Sequence, residues 1–480
     1  MDGTLVDYLY EPNGPSPFKC GYCKSPDTSK IQGVLAHRMT CGDFQELVDR
    51  GFQRSGKFVY RPFMRETCCP QYVFRTDVTK FRLSKQQKAT IRKMNRFLTL
   101  GEANATPEDA EEAGPGDSAG KEAKTVEDVT ENNLGEPSKK RAVRPGLGAD
   151  PSKPPCKKAK LLRRERQAKK AVQKGQKIVA LEENLANRET TGQPSASSTS
   201  PSVAEWVGEK LILPHEPSHR HSLTTRLVSC SRGDPQFAST YEESYRVFRK
   251  FQLEVHRDNE EDCQESHFNE FLVDSPLVKE KGPEGAPCNY GSFHLQYLID
   301  GKIFAVGVLD IIPRGVLCEY LFYDPAYRFV APGVYSALNE ISLSQRFFTV
   351  SPEMQYYYMG FYVQSCPKMN YKRRYASSEL LCSHTHSYAP LQQCIPRLKE
   401  KEYCRLDDDA PLVNERDEVT EEVVGGLKIL HKMAVMSYTD YRAECGDGRQ
   451  AMIVESYVEL VGQKVASNAT LHIPSSDMMF

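Results

Sequence analysis

The sequence predicts an α+β protein with a small cysteine-rich amino-terminal domain and a larger mixed domain, joined by a disordered linker. Two close-set cysteine pairs lie before residue 101, Cys20 with Cys23 and Cys68 beside Cys69. Residues 101–203 carry few large apolar side chains and reverse their charge midway. From residue 204 the apolar pattern is helical, then strand-like, then helical again, as expected for helices packed on a largely antiparallel sheet. The expected division is 1–100, 101–203 and 204–480.

Composition sets outer bounds. The 480 residues carry a formal net charge of −1 and are 39% hydrophobic, with no apolar run approaching a membrane span. The start, "MDGTLVDYLYEPNG", is acidic and polar, unlike a secretory signal or an Arg-rich presequence. The fifteen cysteines are scattered and odd in number, which suits a reducing compartment with free or metal-bound thiols. No membrane partner is expected.

Taken in order, the first element is the cysteine quartet. Two pairs separated by a short stretch of chain can bring four thiolates to one point, and soft sulfur donors suit zinc or an iron–sulfur cluster. The spacing is not a zinc ribbon, which would show C-x-x-C twice. Cys68 and Cys69 can face one ion only from a sharp turn, since neighbours in an extended chain point to opposite sides. Pro70 is compatible with such a turn. The competing reading makes some of these thiols small buried hydrophobes.

The linker is acidic over 102–136 and basic over 139–177. It cannot bury enough surface to offset ordering entropy. A transient basic helix is expected around 157–187, able to hold tRNA backbone or serve as a nuclear address, or to act as a plain tether.

After the linker, Tyr241, Tyr245, Phe248, Phe251 and Val255 define an amphipathic helix, and Phe268, Phe271 and Leu272 a shorter one. "CNYGSFHLQYLI", "KIFAVGVLDII" and "VLCEYLFYD" read as three strands, the first two joined at Asp300-Gly301, a tight-hairpin signal. A helix opens near Pro332-Gly333 with Val334, Leu338, Ile341 and Leu343 inward, and "MQYYYMGFYVQ" reads as a further strand. This order suggests an acyltransferase domain of the GNAT type, in which the last meander strand splays from the strand after the helix. Many α+β domains share the order. The block "CPKMNYKRRYASSELLC" interleaves Lys and Arg with Tyr, as phosphate contact and base stacking require, although a solvated face looks the same.

The wording of the sequence is more specific than its pattern. "FKCGYCKS", "AHRMT", "RSGKFVYRP" and "TCCPQY" resemble the amino-terminal domain of eukaryotic arginyl-tRNA–protein transferases. "FQLEVH", "FLVDSPL", "GSFHLQYLIDGKIFAVGVLDIIP", "LFYDPAY", "GVYSALNEI", "YYYMGFYVQSCPKMNYK" and "SSELLC" resemble their catalytic domain. The resemblance runs in order over roughly 18–100 and 238–405 and is weak only in the linker, in the start before Cys20, and at "SHTHSYAPL" after "SSELLC". No site is placed on His384 or His386 for that reason.

The resemblance implies transfer of arginine from arginyl-tRNA to the α-amino group of proteins beginning with Asp, Glu or oxidised Cys, marking them for ubiquitin-dependent degradation. It implies a monomer of the cytoplasm and nucleus. It also implies a metal, as iron–sulfur cluster or zinc, at Cys20, Cys23, Cys68 and Cys69. Coenzyme A is not expected, because "YRFVAPGVY" places Arg328 and Gly333 at the wrong spacing for its phosphate loop.

An ester attacked by an amine needs positioning, removal of a proton and support for the oxyanion, not a covalent intermediate. The arginyl side chain calls for a carboxylate able to take a bidentate guanidinium. Asp310 is the first candidate, with Glu319 and Asp324 behind it; Asp324 before a proline also fits a simple turn. His294 is the candidate proton shuttle, or a structural strand histidine. Lys368 and Lys372 are candidates for the acidic acceptor or for tRNA phosphate, with Lys57 and Arg61 as a second pair. Tyr356 and Tyr358 are candidates for stacking the terminal bases, since alternate residues of a strand share a face. Two rivals stand beside this reading: an acetyl-coenzyme A N-acetyltransferase of the same fold, and a non-catalytic, metal-containing RNA-binding regulator.

Overall fold

The computed structural model describes residues 3–11, 14–101, 206–211, 216–413, 419–446 and 450–473. The first elements are β1 (Leu5–Tyr8), β2 (Ile31–Arg38), α1 (Cys41–Val48), β3 (Gln53–Ser55), β4 (Phe58–Pro62), β5 (Tyr72–Asp77) and α2 (Lys85–Leu100). The caps explain where the helices begin. The Thr40 side chain accepts from the Asp43 amide at the start of α1. Ser84 and Gln87 form a reciprocal capping box on α2, and Gly101 closes that helix in the left-handed conformation at φ 73°. The expected linker, apart from Gly101, and its basic helix lie outside the described residues up to residue 205.

The later elements are β6 (Leu223–Ser229), α3 (Pro235–Phe251), β7 (Gly291–Ile299), β8 (Lys302–Ile312), β9 (Gly315–Tyr323), α4 (Pro332–Val350), β10 (Tyr356–Tyr362), β11 (Ser378–Leu381), β12 (Tyr388–Pro390), β13 (Lys428–His431), β14 (Ala434–Ser437), α5 (Gln450–Val461) and β15 (Thr470–His472). The meander and the helix that follows it occur where the apolar periodicity puts them. Asp300 and Gly301 both take positive φ, 51° and 79°, as a two-residue hairpin of that kind requires. The first expected helix starts earlier than its apolar pattern, because Asp234 accepts from the Gln236 and Phe237 amides and Pro235 occupies the first turn.

Two sheets organise these elements. One runs β14-β13-β15-β1-β2-β4-β3, the other β12-β11-β5-β10-β9-β8-β7-β6. β5, from the segment expected to form the amino-terminal domain, lies between β10 and β11. β15, from the far end of the chain, pairs in parallel with β1. The segments 1–100 and 204–480 are therefore interleaved in both sheets rather than set side by side. Strand pairing across such sequence distances leaves no trace in local pattern.

The second sheet has apolar residues on both faces. Phe237, Phe248, Leu338, Ile341 and Met94, from α3, α4 and α2, cover one face. The other presents Val73, Leu317, Tyr358 and Leu381 to a core shared with Val34, Phe44, Phe52, Tyr457 and Val458.

Candidate functional site

The geometry of interest begins where β9 and β10 part. They pair in parallel only from Gly315 to Leu317 against Tyr356 to Tyr358. Gly315 lies so close to the Tyr356 carbonyl that a Cβ there would overlap it, which holds the two strands tight at this end. Past that point β10 kinks: Gly360 takes φ 57° and the register with β5 breaks between Tyr358 and Phe361. β9 is bulged against β8, with Val308 opposite Tyr320 and Leu309 opposite Cys318, so Glu319 is the extra residue. Bulges of this kind re-aim a side chain. The stretch Cys318–Leu321 is half-buried between buried flanks, as a strand lining a cleft should be.

Beneath the bulge lies a buried ionic group. Arg54 of β3 donates to both oxygens of Asp310, Nε to Oδ2 at 2.6 Å and a terminal nitrogen to Oδ1 at 2.8 Å. The Ser292 hydroxyl donates to Oδ1 at 2.6 Å. Asp310 is fully buried, so the bidentate guanidinium expected from the substrate is supplied by the chain itself. Glu319 Oε1 lies 3.6 Å from Arg54 Nε, its side chain is 8% exposed, and that oxygen has no hydrogen-bond partner. One cation thus faces two carboxyl groups. Burial above all, with the charge of Asp310 adding to it against the pull of Arg54, lifts the Glu319 carboxyl far above the usual range.

The remaining expected residues divide. Asp324 caps the turn after β9, accepting from the Ala326 amide, and pairs with Lys250 at 2.6 Å; it is the turn residue its proline neighbour suggested. His294 is fully buried, its Nε2 on the Leu272 carbonyl at 3.1 Å and its ring against Phe237. Burial lowers its pKa to about 4, so it is a neutral core histidine away from any solvent path. Lys372 turns inward. Its ammonium donates to the carbonyls of Met359 and Phe361 beside the kink of β10, and burial lowers its pKa to about 7. Lys368 stays exposed, and its charge adds to burial in lowering the His256 pKa against the opposing pull of Asp258. Tyr358 is buried, its hydroxyl accepting from Gln45 at 3.3 Å, and is not available for stacking. Tyr356 is half-buried and lies on one side of the Arg75 guanidinium, with Tyr388 on the other. Lys57 is exposed at the β3–β4 turn.

Arg61 lines a cavity of about 250 Å³ together with Gln32, Arg50, Arg65, Gln71, His386 and Tyr403. Burial, then the neighbouring Arg50, lower the Arg61 pKa to about 10. A guanidinium so placed favours an anionic ligand. Sequence reasoning missed a buried acid beside β10, Glu340. Glu340 of α4 is raised to about 7 by burial, and the Tyr357 hydroxyl donates to it. A Glu amid "YSALNEISL" at a helix position facing inward was the available signal.

The sulfurs of Cys20, Cys23, Cys68 and Cys69 all lie within 4.8 Å of one another, with Cys23 and Cys68 at 3.5 Å. The chain bends at Cys68-Cys69, the Cys68 amide donates to the Thr28 carbonyl, and Cys68 is half-buried beside the buried Cys69. Hydrogen bonds from Ser25 lower the Cys23 thiol to about 6. Cys20 and Cys69 pack on Val363 and Cys366, just past the end of β10. The quartet therefore buttresses the segment that carries Lys372.

Comparison with known proteins follows the same two regions. The amino-terminal model of the arginine-tRNA-protein transferase family matches residues 18–89, which hold the four cysteines and Arg54. The carboxy-terminal model matches 243–382, which hold the bulge, the kink and Glu340. The chain is 32% identical to arginyl-tRNA–protein transferase 1 of Drosophila melanogaster, over 97% of this chain and 99% of that one. It is 31% identical to arginyl-tRNA–protein transferase 1 of Arabidopsis thaliana over 85% of this chain and 77% of the relative. Transferase 2 of the same plant is 30% identical over 82% and 77%.

Proposed function

Because this chain belongs to the arginyl-tRNA–protein transferase family, enzymes that move arginine from tRNA to protein amino termini, we propose that the reaction occurs in the gap where β9 leaves β10, in a domain of GNAT type. The observation that carries this is the bulged Glu319, a buried carboxyl with an unpartnered oxygen at the edge of the gap. An arriving arginyl guanidinium would ionise Glu319 and take the place of the missing cation. Asp310 then positions Arg54, and through it Glu319, rather than touching the substrate.

The incoming α-amine attacks the ester carbonyl, loses a proton and expels the tRNA 3′-hydroxyl. A model amine pKa of about 7.7–8.0 leaves part of it neutral near pH 7, so holding the two partners together is the main task. The acidic first residue of the acceptor, Asp, Glu or oxidised Cys, fits the Arg61 cavity, where an anion would relieve a buried guanidinium. Exposed Lys368 and Lys57 are left for tRNA phosphate.

The cysteine quartet fits one mononuclear ion. Zinc–sulfur bonds of about 2.3 Å put the sulfurs of a tetrahedron roughly 3.8 Å apart, close to the spacing found, whereas a multi-iron cluster spreads its ligands wider. Cys20, Cys23, Cys68 and Cys69 would hold the ion, which supplies a cross-link rather than chemistry. Cytoplasmic and nuclear residence as a monomer belongs to the same proposal, supported by the free state of every described cysteine. Among the described residues no helix is long and apolar enough to cross a membrane.

The test is transfer of labelled arginine from arginyl-tRNA to two peptides differing only in a first Asp or Ala. The Asp peptide alone should be labelled, and Glu319→Gln should raise the KM for arginyl-tRNA at least tenfold with the peptide KM unchanged. Labelling of neither peptide by folded, metal-loaded protein would overturn the transferase assignment in favour of an RNA-binding regulator. An unchanged KM in Glu319→Gln would remove Glu319 from the arginyl pocket.

A further inference from the structure

In the sheet that runs β14-β13-β15-β1-β2-β4-β3, side chains from three adjacent inner strands converge. Asp7 of β1 receives the Nε2 of His37 from β2 on Oδ2 and the Nδ1 of His472 from β15 on Oδ1, each at 2.8 Å. All three ligand atoms lie within 4.8 Å of one another. Asp7 and His472 are register partners in the parallel β1–β15 pair. His37 sits at a bulge: Leu5 pairs with Arg38 and Val6 with Ala36, which leaves His37 as the extra residue of β2. The bulge presents an imidazole to a carboxylate that already holds another.

We propose that Asp7, His37 and His472 form a second metal site, for a borderline divalent transition ion such as zinc or cobalt. Two imidazole nitrogens and one carboxylate oxygen are the donor set such ions take, and they disfavour magnesium and calcium, which prefer oxygen alone. Metal–ligand bonds of about 2.0–2.2 Å place tetrahedral ligands roughly 3.3 Å apart, so the existing contacts open by about half an ångström. Binding would turn the two ring nitrogens from hydrogen-bond partners of Asp7 into metal ligands, with each imidazole proton then carried on the other ring nitrogen. The side chains are 26–45% exposed, which leaves room for water to complete the coordination. The site would clip the short strands β15 and β1 to β2, tying the two ends of the chain together. It is independent of the cysteine quartet and of the transfer reaction, and its lack of sulfur makes it separable by spectroscopy.

The experiment titrates cobalt(II) into full-length protein whose cysteine site is already metal-loaded. One further equivalent should bind, with visible ligand-field bands and no sulfur-to-cobalt charge-transfer band. His37→Ala and Asp7→Asn should each weaken that uptake at least tenfold. His37 is exposed, so its loss leaves the fold intact, and zinc should raise the melting temperature of the parent but not of His37→Ala. Uptake unaffected by both substitutions, or the absence of a further equivalent at millimolar cobalt, would overturn the site. A charge-transfer band that persists in His37→Ala would assign the uptake to the cysteines and overturn it equally.

Discussion

Arg54→Met would leave the carboxyl groups of Asp310 and Glu319 facing one another without a cation. Asp310 would lose two charge-assisted hydrogen bonds, at 2.6 and 2.8 Å, and keep only the Ser292 hydroxyl. Unit charges about 4 Å apart attract by roughly 4 kcal/mol at an effective dielectric near 20, and breaking a buried pair from one side costs about 3–5 kcal/mol. The expected loss is therefore about 3–5 kcal/mol, read as a lower midpoint in urea unfolding. Asp310→Asn should lose less, about 1–3 kcal/mol, because Glu319 at 3.6 Å can ionise and partly replace it. In the double variant no charge remains, since Glu319 keeps its proton. Buried ion pairs replaced by neutral groups come out near neutral or more stable, so the double variant should unfold later than Arg54→Met alone. A coupling energy of about 2 kcal/mol or more is expected from the four-protein cycle. Additive losses would refute the ionic account. The same double variant, if folded, should transfer arginine with a raised KM for arginyl-tRNA, because Glu319 loses the pair that positions it.

Two further outcomes can be checked directly. Burial raises Glu340 from 4.5 to about 7, so the native state holds a proton that the unfolded chain has released between those values, and stability falls as pH rises through that window. At 1.36 kcal/mol per unit the loss is about 3 kcal/mol above pH 7, and Glu340→Gln should be more stable than the parent by up to that amount at pH 8 but not at pH 4. Buried His294, kept neutral to about pH 4, bends both curves equally, so parent and variant are compared at each pH by urea unfolding. Cys68→Ala should lose the metal of the quartet, read by elemental mass spectrometry, and lower the melting temperature by several degrees, with maximal transfer rate falling because the Val363–Met369 segment loosens.

The meander, its Asp300-Gly301 turn and the helix after it were legible because each is set by residues within a few positions. The quartet was legible for the same reason, as two short loops. Strand β5 was not, since its partners lie in β10 and β11, and neither were β13 to β15, each too short to show a period. Asp310 was singled out as the carboxylate for the substrate's arginyl group, but it holds Arg54 instead, which lies 256 residues away and looks like any other arginine in sequence. Lys372 sits in a basic, aromatic block that reads as a nucleic-acid surface; the kink of β10 that draws its ammonium inward is a feature of tertiary structure. Tyr358 faces the core shared with Val34, Phe44 and Phe52 because its sheet is covered on both sides, which a single strand pattern does not reveal.

The position of β5 also sets a timetable for biosynthesis. The strand leaves the ribosome early, yet its neighbours are made about 280 residues later, which at roughly 5–20 residues per second is an interval of about 15–60 s. Throughout that interval a strand that ends up buried along its whole length waits with two open edges, a natural client for chaperones. The same connectivity tolerates change in what lies between, because doubling a flexible insert adds only about 0.6 kcal/mol to closure. Truncation is another matter. A fragment ending near residue 100 would keep its cysteines but expose β5, and it should aggregate rather than persist as a separate metal-binding module.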